Sequence, residues 1–448
     1  MNTKFISACL ILLCTGFLYS QSIPAGEAAK GTIPYDQFEK SEVCASCHTD
    51  IYQQWRQSMM SQAYTHHWDE IEYFELAVEH GKKDPKFKPA ADGCNGCHTP
   101  MAFLAGDVPP PRPAENSRAN ESVNCEICHL IIGFEGDTPF NFNYMVKPGR
   151  TKYGPKPGLV SPHHTTKKLD FISQTEFCAT CHNEKNPYDI WVKSTQLEWK
   201  EGPYAEEGVP CHQCHMPKAM DRSALMGKED MTAQHLFHGA HDPGKVAGVV
   251  EIRMHPQVRE VEIDEPVVLK VQLFNAKTGH KFPTGSVEDR ILWLHVTAKD
   301  AAGNEFHLPV DKKGFEGEEY TIADKSLEYQ DLGIPLGKPD FKGIERDGVP
   351  PGDRIFRMPY FDPDGNMTIM QWYTKSLGVD YRFGPRETKI ETYTFELPEN
   401  AVPGKMVFEA QLNFQKLVKP VADFLKVPAD ESEIIVVNKA ETWIEIYE

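Results

Sequence analysis

Cysteine and histidine recur in this chain in one fixed arrangement, Cys-x-x-Cys-His. It occurs at Cys44–Cys47–His48, Cys94–Cys97–His98, Cys125–Cys128–His129, Cys178–Cys181–His182 and Cys211–Cys214–His215. Two thiols three positions apart can each form a thioether to one vinyl group of a haem, and the adjacent imidazole then reaches the iron from below. Five covalently attached haem c groups are therefore predicted, with His48, His98, His129, His182 and His215 as proximal ligands. Zinc sites and redox dithiols also use Cys-x-x-Cys, but neither explains a histidine after the second cysteine in every copy. A disulfide framework would use varied spacings. The two remaining cysteines, Cys9 and Cys14, fall in the first 20 residues, so the motifs account for every other thiol.

A low-spin haem carries a second ligand, whereas an open distal face can bind a small substrate. Thirteen histidines lie outside the motifs or between their cysteines. The distal candidates are His235, His238 and His241 in one cluster, His163 and His164 as a pair, His280 in the turn Thr278–Gly285, and Met60 through its thioether. His66 and His67 are weaker candidates, with Trp68 beside them suggesting helix packing. His212, inside the fifth motif, and His295, alternating with Leu292 and Leu294, are read as non-ligands. The first cysteines are separated by steps of 50, 31, 53 and 33 residues. The short steps predict two close haem pairs, the second with the third and the fourth with the fifth.

The elements that must hold these groups fall into two halves. Residues 1–20 read as a secretory signal, with Lys4 ahead of an apolar stretch and Ser20–Gln21 as the cleavage point. Export agrees with haem attachment and places the mature protein in a bacterial periplasm, or alternatively at the cell exterior. Residues 21–248 form the pentahaem cytochrome c part. It is mostly irregular, interrupted by Pro109–Pro113 and Gly154–Gly158, with a helix carrying Ile51, Trp55 and Met59 and a second helical stretch over 71–78 stopping at Gly81. Residues 249–448 show short alternating runs over 258–263, 267–274, 291–298, 389–397 and 406–412. The runs 291–298 and 305–308 read as a hairpin. The expected fold is multidomain α+β: the multihaem part followed by an antiparallel, immunoglobulin-like β-sandwich with an irregular insertion at about 312–385.

Ser41-Glu42-Val43-Cys44-Ala45-Ser46-Cys47-His48, continued through Trp55, Ser58 and Ala63, resembles the opening of the cytochrome c-554-type multihaem family. The resemblance extends through Cys211–Pro217, the His235–His241 cluster and the Gly279–Gly285 turn to relatives with a β-sandwich after the haems. It implies mostly bis-histidine haems and electron transfer. Related pentahaem nitrite reductases have a lysine in place of one motif histidine, and all five motifs here end in His. Relatives often have a histidine where Met60 stands.

The sequence therefore reads as an exported electron carrier between redox partner proteins, ahead of an oxidoreductase acting on a small nitrogen or sulfur compound at one open-sided haem. Self-association through the β-domain, as in a polymerised haem conduit, is a third expectation. The formal net charge of −18 argues against a nucleic-acid partner. After the signal, no apolar run is long enough for a transmembrane helix.

Overall fold

The computed structural model describes residues 25–323 and 328–448. Cys9, Cys14 and the cleavage point lie outside the described residues. No helix among the described residues is long and apolar enough to cross a membrane.

In the haem-motif half, motifs 2 to 5 each lie within one helix, because the five-residue pattern fills little more than one helical turn; the first motif runs from the helix Ser41–Ala45 through a turn to His48, which caps the helix Thr49–Arg56. The helix Cys125–Leu130 starts on Asn124, whose side chain accepts from the Ile127 N–H at 3.1 Å. The helix Lys88–His98 carries the second motif, and Gly96 within it is a packing requirement. A Cβ there would sit 2.4 Å from the Phe142 ring. Between these helices run two-stranded ribbons and 3-10 turns.

The helix expected around Trp55 spans Thr49–Arg56, and Met59 falls instead in the following 3-10 turn, Met59–Gln62. The second helical stretch does not stop at Gly81. It runs from His67 through a π-helical segment, Glu72–Ala77, to Lys83. Gly81 is there for closeness: a Cβ would lie 3.0 Å from the Lys88 backbone.

The C-terminal half is built on two sheets. The strands of these two sheets are β1 (Val250–Pro256), β2 (Glu260–Glu262), β3 (Val267–Asn275), β4 (Ile291–Lys299), β5 (Glu305–His307), β6 (Arg354–Ile355), β7 (Thr388–Phe395), β8 (Gly404–Gln415) and β9 (Ile435–Tyr447). The larger sheet has the order β2-β9-β8-β4-β5, with β6 also paired to β4; the smaller is β7-β3-β1. The predicted hairpin is present, with Thr297 opposite His307 and Lys299 opposite Glu305. Leu269, Val271, Leu273 and Tyr393 of the smaller sheet share one core with Leu294, Val296, Phe408 and Leu412 of the larger. The pairing is antiparallel except between β2 and β9, which run parallel. β1 and β9 were not anticipated. In β9, the stretch Asn438-Lys439-Ala440-Glu441 lacks the apolar alternation that marks a half-buried strand.

β4 is buried on both faces, which explains its unbroken apolar start Ile291-Leu292-Trp293-Leu294. Leu292 and Leu294 face the sheet–sheet core. Ile291 and Trp293 join a second core with Tyr64, Trp68, Leu76 and Phe87 of the haem-motif half. The irregular insertion seals the same junction. Asn186 donates to the carbonyls of Gln371 and Thr374 at 2.9 and 2.6 Å, and Trp372 Nε1 donates to His80 Nδ1 at 3.1 Å. Lys83 donates to the Ile334 carbonyl at 2.7 Å.

Candidate haem centres

Three motif histidines face a second imidazole. His48 and His164 lie with ring centroids 6.2 Å apart and planes at 24°; His129 and His235 at 6.5 Å and 25°; His215 and His280 at 6.3 Å and 17°. These separations are too long for stacking contact between bare rings. An ion holding two imidazole nitrogens at about 2 Å, each about 1.1 Å from its ring centre, sets the centroids about 6.3 Å apart. The residues present therefore fit an iron between each pair. The second histidines come from three separate places: the loop before the fourth motif, the segment after the fifth, and the turn between β3 and β4.

The outer nitrogens of these rings are also engaged. His129, His98 and His215 point Nδ1 at the carbonyls of Tyr153, Ala63 and His238, at 2.6, 2.7 and 2.8 Å, and His48 does the same to Ser223. His235 and His280 use the carbonyls of Ala233 and Lys281, at 3.0 and 2.8 Å. An N–H donated through Nδ1 places the lone pair on Nε2, the tautomer a metal needs. Burial favours the same neutral form. It lowers the imidazole pKa values of His182, His215 and His235 to about 4, and those of His129, His164 and His280 in the same direction.

The thiols show how the motifs neighbour one another. Cys44 lies beside Cys125, Cys97 beside Cys181, and Cys178 beside Cys211. Cys128 also senses the charge of Cys181. Motif 4 thus borders motifs 2, 3 and 5, while motif 1 joins through motif 3. The expected pairing of the fourth with the fifth is present, but the second lies against the fourth and the first against the third. Step length along the chain does not set distance here. The ribbon pairing Ile131–Phe134 with Tyr144–Val146 and the parallel pair Thr151–Gly154 with Thr165–Lys168 fold the longer step back on itself. No disulfide joins the ten described cysteines.

The other candidates sit elsewhere. His163 is half exposed, and its Nε2 is 2.9 Å from Glu39. His238 is also exposed and paired with Asp242; it serves the site through its carbonyl, which accepts from His215. His241 packs edge-on against His66 at 5.3 Å and near Trp68, and burial holds its pKa at about 3. Met60 lies in the turn leading to Ala63, on the Nδ1 side of His98, and its carbonyl accepts from the Val123 N–H at 3.1 Å. Among the described residues, no imidazole faces His98 or His182 at the spacing of the three pairs.

His66 Nε2 is 2.9 Å from Glu431, which also holds Lys416 at 2.8 Å, and His66 Nδ1 is 3.3 Å from Asp69. Burial alone would lower the His66 pKa, but the two carboxylates raise it to about 9. The folded value lies above the unfolded one, so this stabilisation is complete below about pH 6.5 and disappears as pH rises through about 9. His66→Gln should lower the unfolding free energy by about 3 kcal/mol at pH 6, with the gap closing by pH 10. Denaturant unfolding of both proteins across that range checks this, and a gap independent of pH would refute it.

Two family models match the haem-motif half: "Cytochrome c554 and c-prime" over residues 43–130, and "NapC/NirT cytochrome c family, N-terminal region" over residues 151–245. The chain is a multihaem c-type cytochrome. Its haem c is covalently bound, and it transfers electrons. Among solved structures, a penta-heme cytochrome c552 from Thermochromatium tepidum is similar at a TM-score of 0.63 and 20% identity, covering 91% of this chain and 99% of that one. The fold of the cytochrome, including its C-terminal half, is thus shared with that protein. AvmM, which catalyses macrocyclization in alchivemycin A biosynthesis, aligns at a TM-score of only 0.20 and 10% identity over 45% of this chain and 90% of that one, too low to bear on the fold. No curated protein matches.

Beside motifs 2 and 4 the cytochrome buries an unusual set of charged groups. Glu288 Oε2, Asp289 Oδ1 and Arg290 Nε are enclosed with no hydrogen-bond partner. Burial pushes the carboxyls of Glu72, Glu288 and Asp289 up, which favours their protonated forms. Lys193, which senses the charges of Glu184, Glu288 and Cys94, joins this set to the second motif. Glu72 opens the π-helical segment, a deviation often found at functional sites. Only the repeated cysteine–histidine pattern was visible in the sequence; nothing in the spacing of these acids marked them.

Proposed function

We propose that the protein is an exported pentahaem carrier that passes electrons between redox partner proteins in a bacterial periplasm. The observation that carries this reading is the closeness of thiols from different motifs, which orders all five into one branched relay with motif 4 at its centre. In this reading His48, His98, His129, His182 and His215 are the proximal ligands, and His164, His235 and His280 are the distal ligands of haems 1, 3 and 5. The two-sheet C-terminal half is read as a β-sandwich that supplies the His280 turn. When bound, the haems supply the one-electron couple. The chain contributes the axial nitrogens, their carbonyl partners and the burial that tunes each potential.

Mass spectrometry of the mature secreted protein should show loss of the first 20 residues and a gain of five haems. Flash reduction should then spread one electron over the haems faster than a second donor molecule can deliver another. Fewer haems, or haems that reduce independently, would overturn the relay.

One observation favours a second reading, a reductase or oxidase of a small nitrogen or sulfur compound. Among the described residues His98 and His182 face no second imidazole, and motif 2 ends a branch of the relay beside the Glu72, Glu288, Asp289, Arg290 and Lys193 group. Protonated carboxyls there could deliver protons to a substrate as electrons arrive. The two readings separate on carbon monoxide. Binding to the reduced protein at about one or two haems in five supports the enzyme, and uniformly low-spin, unreactive haems support the pure carrier.

A further inference from the structure

The two sheets bring three ligand-type side chains together far from the cysteine motifs in sequence. His295 lies on β4, His307 on its neighbour β5, and Asp353 immediately before β6, which pairs with β4 at Leu294 and Trp293. His295 Nδ1 is 2.9 Å from both carboxylate oxygens of Asp353, and His307 Nε2 is 2.7 Å from Oδ1. The two rings lie almost parallel, with centroids 4.9 Å apart and planes at 14°. One ligand atom from each residue falls within 4.8 Å of the others.

The environment of Asp353 makes this more than a surface cluster. Its side chain is fully enclosed, while the two imidazoles are each about one-third exposed. Among the described residues the carboxylate has no lysine, arginine or backbone N–H partner; the neighbouring Arg354 is turned to Glu391 at 3.1 Å. The enclosed carboxylate is held by the two imidazoles, so an ion placed among the three would meet a buried anionic donor flanked by two ring nitrogens. The second arrangement of two histidines and a carboxylate in this protein, His66, His67 and Glu431, differs on this point. There Lys416 sits 2.8 Å from Glu431 and already provides the charge. Gly352, at φ +90°, also permits the approach at Asp353, since a Cβ there would press on Pro309 at 2.7 Å and on the His307 ring at 3.3 Å.

We propose that His295, His307 and Asp353 form a binding site for one borderline divalent transition-metal ion, of which zinc is the simplest representative. Two imidazole nitrogens and one carboxylate oxygen are the donors such ions take, and three protein ligands leave a position open to water. A tetrahedral ion with bonds of about 2.0 Å holds its donor atoms about 3.3 Å apart, so the two nitrogen–oxygen spacings need to open by only a few tenths of an ångström. Each ring coordinates through the nitrogen now turned to Asp353, with its proton carried on the other nitrogen. Because the three residues come from β4, β5 and the β6 approach, the ion would clamp the insertion to the sheet edge.

The test uses the secreted, haem-loaded protein after exposure to a chelator and desalting. Titration with zinc chloride in a calorimeter, with elemental analysis of the saturated protein, should give one zinc per chain beside the haem iron. The double variant His295→Ala/His307→Ala should weaken zinc binding at least about 100-fold with the haem spectrum unchanged. His67→Ala should leave it intact. Asp353→Asn should also abolish binding; if that protein fails to fold, the variants of the partly exposed histidines still decide the matter. Absence of saturable zinc binding by the native protein, or equal binding by the double variant, overturns the assignment.

Discussion

Replacing His280 by alanine in the haem-loaded protein should convert about one haem in five from low spin to high spin and open it to carbon monoxide. The expectation follows from the geometry of the turn Thr278–Gly285. It carries the His280 ring to 6.3 Å from that of His215, nearly parallel to it, with Nδ1 held 2.8 Å from the Lys281 carbonyl. Ferric EPR and the reduced-minus-carbon-monoxide spectrum are the measurements. His255→Ala is the control, since His255 lies exposed on β1 and faces no motif histidine. A low-spin spectrum unchanged by His280→Ala would remove His280 from the ligand set. The same result is expected for the chain truncated before β1, because the fifth haem takes its second ligand from the C-terminal half.

The largest loss of stability should follow from Arg382→Met. Arg382 is almost fully buried and binds Glu198 at 2.7 Å and both Asp380 oxygens at 2.9 Å; it also donates to the Pro283 carbonyl at 3.2 Å. Glu198 in turn accepts from the Thr284 hydroxyl at 2.6 Å. One guanidinium therefore ties the helix Thr195–Lys200 of the haem-motif half to the turn that presents His280. Methionine keeps much of the volume but leaves the enclosed Glu198 without its cation and Asp380 with Lys281 alone, a change that costs about 3–5 kcal/mol. Lysine would not restore the forked contact. Denaturant unfolding followed by circular dichroism reads the loss. Adding Glu198→Gln to Arg382→Met should recover part of it, because the two changes act on one pair. A loss below about 1 kcal/mol would contradict the account.

The pH dependence of the same cluster has a defined sign. Burial alone would raise the Asp380 pKa, but Arg382 and Lys281 hold it at about 2. Its folded value lies below its unfolded one. Its contribution is therefore complete above about pH 4 and lost as pH falls towards 2, and Arg382→Met should flatten that acid limb.

What the chain alone determined was chemistry written locally. A thioether pair and its imidazole occupy five consecutive residues, so all ten thiols and the five motif histidines could be read without a fold. The β-runs around Val267–Asn275 and Ile291–Lys299 were legible for the same reason: alternation along a strand is a nearest-neighbour property. The second imidazoles carry no such local mark. His164 and His235 stand in the same short stretches as His163 and His238, and only the folded chain distinguishes them. His163 turns to Glu39 while His164 faces His48. The adjacency of motif 1 with 3 and motif 2 with 4 was likewise hidden, because irregular segments and ribbons separate chain distance from spatial distance. Facing rings, neighbouring thiols and the enclosed carboxylate of Asp353 are relations between residues tens to hundreds of positions apart, and only tertiary packing brings such residues together.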